Sequence, residues 1–189
     1  MTHKANLAET PPVRHQGLYL WMKSAVSIFL AFVLVLALGA QPIAVIGDSM
    51  NPTLLDGDQV IVRSIFYTPR RGDVIVFVRY AVQDGTPLVK RVIALAGDVV
   101  DINAATGTVY VNGTAIDEPY SSEHTTQAGN ISYPFTVPPG YVFVLGDNRS
   151  PYGSLDSRHT MLGPVDEREI VGGVIAVASP LERARLMVR

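Results

Sequence analysis

The chain has 189 residues, 48% of them hydrophobic, a formal charge of -2 and no cysteine. One ordinary domain plus an appendage fits that length, and the near-neutral balance excludes the basic face of a nucleic-acid binder. Absence of cysteine rules out disulfides, iron–sulfur clusters and thiolate zinc sites. His3, His15, His124 and His159 show no metal-binding spacing, so no metal and no cofactor are expected.

Residues 1–20 are polar and proline-bearing, with Lys4, Arg14 and then Lys23 against Glu9 alone. From 24 to 47 no residue is charged, and 28–38 is close to pure hydrocarbon. A bilayer core demands about 20 apolar residues, whereas a buried helix without a polar face is unusual in so small a protein. Tyr19 and Trp21 stand where an aromatic belt would lie, and the basic flank faces the cytoplasm by the positive-inside rule. A removable signal peptide shares these features. The length of the run, and Pro42 directly after the poor cleavage site Ala40-Gln41, favour an uncleaved anchor. The expected layout is a cytoplasmic segment 1–23, a transmembrane helix 24–42 in contact with the lipid bilayer, and an extracytoplasmic domain 43–189.

The outer part reads as β. Short β-branched or aromatic runs lie at 60–62, 74–78, 89–95, 99–100, 109–111, 141–145 and 174–177, punctuated by Gly, Pro, Asn and Asp. Gly-Asp pairs begin at 47, 57, 72, 97 and 146, and three of them lead straight into a strand, which marks turn chemistry. Asn112-Gly113 predicts a hairpin. Residues 117–138 are polar and proline-bearing, an excursion of low order within a longer subdomain of about 101–138. The expected fold class is mainly β, an antiparallel sheet or barrel-like catalytic domain behind one N-terminal transmembrane helix.

Three stretches can carry chemistry. Val45-Ile46-Gly47-Asp48-Ser49-Met50-Asn51-Pro52-Thr53-Leu54 puts one serine on a tight turn. Such a serine is ordinarily a turn residue, and it is also how a nucleophile is presented. His124 and His159 lie in polar loops with no apolar frame to fix a base. Lys90 is the sole lysine of the outer domain and sits within Pro87-Leu88-Val89-Lys90-Arg91-Val92-Ile93. On an apolar strand face, desolvation lowers its pKa and makes the neutral amine a general base. A lysine that guards a strand edge against aggregation reads equally well. The stretch Gly146 to Arg158 is dense in hydrogen-bonding side chains: Asp156 and Arg158 can pair with each other or with neighbouring loops, and Ser154 can reach a buried amine.

Together these stretches resemble the signature boxes of bacterial type I signal peptidases, the membrane-anchored serine proteases that remove signal peptides from exported proteins. The resemblance covers 47–54, 71–76, 88–100 and 137–158 in the family's order, with Tyr110-Val111-Asn112-Gly113 and Glu118-Pro119-Tyr120 besides. It implies Ser49 as nucleophile, Lys90 as general base and Ser154 as the residue that orients the lysine, with Asp156 and Arg158 in support. It also implies a bacterial inner-membrane location and signal peptides of exported preproteins as partners, with no nucleic acid and no metal. Val45, Met50, Leu54 and Val89 are the candidates for the walls of a shallow apolar substrate groove; otherwise they are ordinary core.

Two departures stand out. Where some members carry a serine two residues before the nucleophile, this chain has Gly47, which leaves the oxyanion to the Ser49 N–H and a nearby donor. Four residues, Ser150-Pro151-Tyr152-Gly153, separate Arg149 from Ser154 where the common pattern has two, so Ser150 competes with Ser154 for the orienting role. The rivals are a self-cleaving serine–lysine regulator, a specialised pilus or conjugation-type processing peptidase, and a membrane-tethered β adaptor with no catalysis. Regulators of that kind carry a DNA-binding helical region where this chain has its apolar span.

Overall fold

The computed structural model of the chain describes residues 16–121 and 123–187. His3, Lys4, Glu9, Arg14 and His15 of the expected cytoplasmic flank lie outside the described residues. Two compact units are present, one ending at Leu38 and the other running Gly39–Arg189.

In the first unit a helix, α1, covers Gln16–Gly39. Its stretch Gly17–Leu34 is long and apolar enough to cross a membrane, and large side chains such as Trp21, Phe29 and Phe32 are exposed along it. The helix begins before Lys23, so that cation lies on α1 rather than in front of it. It also ends earlier than the charge-free run suggests, because Ala40–Ala44 is a strand, β1. The reason is local: glycine is a poor helix former, and Pro42 cannot continue a helix because it lacks an N–H. Proline is tolerated on an edge strand, and β1 is one, pairing only with β2 from Ala40↔Arg63 to Ala44↔Gln59.

The second unit is antiparallel β. Its elements after β1 are β2 (Gln59–Arg63), β3 (Val74–Val78), a single helical turn α2 (Tyr80–Gln83), β4 (Pro87–Ala94), β5 (Val99–Asn103), β6 (Thr108–Val111) and β7 (Thr114–Ala115). There follow β8 (Phe135–Thr136), β9 (Tyr141–Leu145), β10 (Val165–Asp166), β11 (Ile170–Ser179) and β12 (Arg185–Leu186). The larger sheet has the order β1-β2-β11-β3-β4-β9-β10, with β12 on β11, and the smaller one β7-β6-β5-β8. Valine and isoleucine dominate these strands because branched side chains pack well on a pleated, half-buried surface. Three of the five Gly-Asp turns share one construction. Leu55, Arg70 and Leu95 N–H groups each donate to the carboxylate three residues on, Asp58, Asp73 and Asp98, while the aspartate N–H returns to the same residue's carbonyl. The glycine before each aspartate takes the left-handed backbone (φ 83°, 90° and 85°) that closes the turn.

Residues 117–138 are more tightly built than their composition suggests. Thr125 is fully buried, and Ile131, Tyr133 and Phe135 pack on the cluster formed by Val100, Val109, Phe143 and Leu145. What the stretch lacks in apolar periodicity is supplied by contacts distant in sequence. The largest of these run through arginines of the candidate site.

Candidate active site

The turn after β1 is bonded along most of its length. The Val45 N–H donates to Asp58 O at 2.8 Å and the Gly57 N–H to Val45 O at 3.0 Å, which seats the turn on the start of β2. The Gly47 N–H donates to Asp56 Oδ1 at 2.7 Å. The Leu54 N–H closes back on Met50 O at 2.9 Å. Met50 and Leu54 are buried with Val60, Val62 and Val76, and this anchoring leaves Ser49 half-buried at the surface of the core.

Asn148, just past the end of β9, clamps the same turn from another side. Its N–H donates to Ser49 O at 3.1 Å and its Nδ2 to Asp48 O at 3.0 Å. Sequence reasoning did not single this residue out. The available signal was an amide, able both to donate and to accept, placed directly after an apolar strand.

β4 carries Lys90, 3% exposed, in register with Ile75 of β3. Its Nζ contacts Ser49 Oγ at 2.6 Å and donates to Val89 O at 2.8 Å. Burial strips water from the ammonium and lowers its pKa from 10.5 to about 8, against the opposing pull of the Asp156 and Asp147 carboxylates.

Arginines hold both carboxylates. Arg91 donates to Asp147 in a fork of 2.8 and 2.6 Å and stacks over the Tyr120 ring at 3.9 Å. Arg158 donates to Asp156 twice at 2.8 Å, and the Gly146 N–H adds a third bond at 3.1 Å. Of the two pairings open to Asp156 and Arg158 in sequence, the structure has them with each other. These bonds hold the Asp156 carboxyl below its ordinary range although burial opposes that. A third buried arginine, Arg149, reaches Glu118 and Thr125, and Arg158 also donates to Gln127 O at 3.0 Å. These bonds fasten residues 117–138 to the strand end that carries Asn148.

Ser154 is buried, and its Oγ has no hydrogen-bond partner among the described residues. It abuts Gly146, where a Cβ would meet Ser154 Oγ at 2.3 Å and Ser49 O at 2.4 Å. The hydroxyl and the Ser49 carbonyl therefore converge on a spot that only glycine leaves open. The Ser154 hydroxyl stands near enough to Asp156 to favour its charged form, short of hydrogen-bond geometry. Ser150 instead gives both its N–H and its hydroxyl to Asn148 Oδ1.

Of the residues expected to wall a groove, Val45, Met50 and Val89 line an open cleft beside Ser49, Lys90 and Leu155. Leu54 does not: it is wholly buried, packed with Met50, Val60 and Val76. His124 is exposed and His159 half-buried, and neither has a bond to Ser49. Among the described residues no group of His, Asp or Glu could hold a metal ion.

A family model described as signal peptidase, peptidase S26, matches residues 18–178. The signal peptidase I of Bacillus licheniformis is 32% identical over 182 residues, covering 91% of this chain and 94% of that protein. Signal peptidase IB of Staphylococcus aureus is 38% identical over 170 residues, 79% of this chain and 84% of that one. A crystal structure of a signal peptidase I from Enterococcus faecalis V583 aligns with a TM-score of 0.45 and 32% identity, covering 56% of this chain and 96% of that chain. On a family match spanning 18–178 and relatives above 30% identity over most of its length, the chain belongs to the signal peptidase family, peptidase S26, and is a serine peptidase.

Proposed function

We propose that the chain is a single-span membrane endopeptidase that removes N-terminal signal peptides from exported preproteins, with Ser49 as nucleophile and Lys90 as general base. The observation that carries this reading is the 2.6 Å contact between Lys90 Nζ and Ser49 Oγ, made by a lysine whose burial brings its pKa to about 8. In the neutral amine state that contact reverses, and the Ser49 hydroxyl donates to Nζ. The amine takes the proton as Oγ attacks the scissile carbonyl. Charge then develops on the carbonyl oxygen beside the Ser49 N–H; Gly47 offers no side-chain donor, so backbone groups must stabilise it. Lys90 returns the proton to the leaving amine, the C–N bond breaks, and an acyl-enzyme remains. Water gives a proton to Lys90 and its oxygen to the acyl carbon. The bond from that carbon to Oγ breaks, and Lys90 passes the proton to Oγ, which frees Ser49 and restores the neutral amine.

Ser154 is the residue assigned to aim Lys90, on the strength of its burial beside Gly146 and Asp156. Asp156 and Arg158 hold that end of the loop in place. β4 pairs with β9 only from Arg91 onward. One edge of the strand before Arg91 is thus open to an extended peptide lying in the cleft, the mode of strand addition. The apolar walls at Val45, Met50 and Val89 suit the small uncharged residues that end signal peptides.

Incubating the purified chain with a preprotein and weighing the products tests the reading. The wild type is expected to release one N-terminal fragment ending in small residues, and Ser49→Ala to leave the preprotein whole. A wild type that cuts nothing would favour a tethered adaptor.

The membrane part of the proposal rests on α1 and the basic residues around it: N-terminus in the cytoplasm, residues 43–189 outside, in the inner membrane of a bacterium. Protease added to intact spheroplasts should therefore digest the β unit and spare a short N-terminal fragment. Protection of the β unit would reverse the orientation and remove the enzyme from its substrates.

A further inference from the structure

We propose that Tyr152 is a specificity-determining residue that contacts an apolar side chain of the peptide occupying the Ser49–Lys90 cleft, an inference that rests on the proteolytic reading above. Tyr152 belongs to the four-residue stretch that lengthens the loop between Arg149 and Ser154. Its neighbour Gly153 lines the cleft, as does Leu155.

The residue is 92% exposed and held at φ 63°. Left-handed backbone brings a Cβ too near the following carbonyl, so a bulky side chain there is an outlier that glycine would avoid. With nearly all its surface in solvent, the ring contributes little to the core. Strain of this kind at the edge of a reacting cleft points to a use outside folding.

The loop is firmly held. Asn148 Oδ1 accepts from the Ser150 N–H and hydroxyl, the Gly153 N–H donates to Ser150 O at 2.9 Å, and a Cβ on Gly153 would meet Asn148 Oδ1 at 2.4 Å. The same Asn148 side chain holds Asp48 O, and its N–H holds Ser49 O. One residue thus ties the tyrosine's loop and the nucleophile's turn into a single frame, which sets the Tyr152 backbone at a fixed place relative to the reacting serine. Tyrosine gives a large contact with only two side-chain torsions to restrict. Ile46, which also lines the cleft and is 77% exposed, supplies a second apolar rim residue. The class recognised is an extended peptide that carries an apolar side chain away from the small residues at the scissile bond.

A set of soluble peptides with one cleavage sequence, each bearing leucine or glutamine at a single position in turn, tests this on the full-length chain in detergent. The wild type is expected to prefer leucine at one position by about tenfold in kcat/KM, the equivalent of 1.4 kcal/mol. Tyr152→Gly should lose that preference mainly through KM, and Tyr152→Phe should keep it. A structural tyrosine would lower the thermal midpoint when removed, whereas relief of the left-handed strain predicts a midpoint unchanged or raised in Tyr152→Gly. An unaltered peptide profile in Tyr152→Gly overturns the proposal. So does a loss seen only with preproteins on vesicles, which would assign the ring to the lipid surface. A wild type inactive on every peptide would overturn the proteolytic reading itself, and this inference with it.

Discussion

Lys90→Arg is expected to lower the turnover of a preprotein by on the order of 10²–10⁴-fold, the usual worth of a general base, with little change in folding. The substitution keeps the positive charge and the donors but installs a guanidinium that does not deprotonate in proteins. On the proposed mechanism the neutral amine is the active form, so kcat/KM in the wild type should rise with pH through about 8 and fall away below it. Ser154→Ala should give a smaller loss of the same kind, through misplacement of Lys90, with the midpoint nearly unchanged; Ser150→Ala should be nearly silent. Burial of Lys90 also weakens the fold. A lowering from 10.5 to about 8 corresponds to about 3 kcal/mol, borne in full below pH 8 and relieved as the pH rises toward 10.5. Lys90→Met should therefore raise the thermal midpoint at neutral pH while abolishing cleavage. Most activity surviving in Lys90→Arg would make the lysine structural and return His159 to consideration as the base.

Asp156→Asn is expected to cost about 3–5 kcal/mol of stability, the range for leaving one partner of a buried ion pair alone. Asp156 is fully buried, and Arg158 is nearly so. Without the carboxylate the guanidinium keeps its backbone bond to Gln127 but no counter-charge. The wild-type pair stabilises the fold above the carboxyl's ordinary value of 3.8 and is lost as the pH falls below it, because the folded-state pKa is lowered. Urea titration near pH 7 reads the loss directly. A second effect separates this from simple unfolding: Asp156 favours the charged form of Lys90, so surviving folded enzyme should show its activity limb shifted to lower pH. A midpoint unchanged in urea would mean that water screens the pair, and an unmoved limb that the carboxylate does not act on Lys90.

Much of this protein was legible from its residues because the determining physics is local. Branched apolar runs announced β3 and β9 at their observed bounds. Asn112-Gly113 marked a hairpin, and three of the five Gly-Asp pairs marked turns whose aspartates cap the chain three residues back. The candidate site was visible as residue types, one serine on a turn and one lysine among apolar neighbours. The rest depended on groups far apart in sequence. Only the folded chain sets Lys90 against Ser49, 41 positions away, and only the folded chain brings Ser154 and Ser49 O together at Gly146 while bonding Ser150 to Asn148. Leu54 and Met50 looked alike in sequence and both are buried in one core cluster, but of the two only Met50 also lines the cleft. Residues 117–138 read as loose because their fastening comes from Arg149 and Arg158, which no periodicity reveals. Sequence by itself determines turn, strand and the long apolar helix, since each reflects the preferences of neighbouring residues. Burial, the partners of the arginines and the basicity of Lys90 belong to the tertiary structure, because desolvation and charge pairing depend on what the rest of the chain brings near.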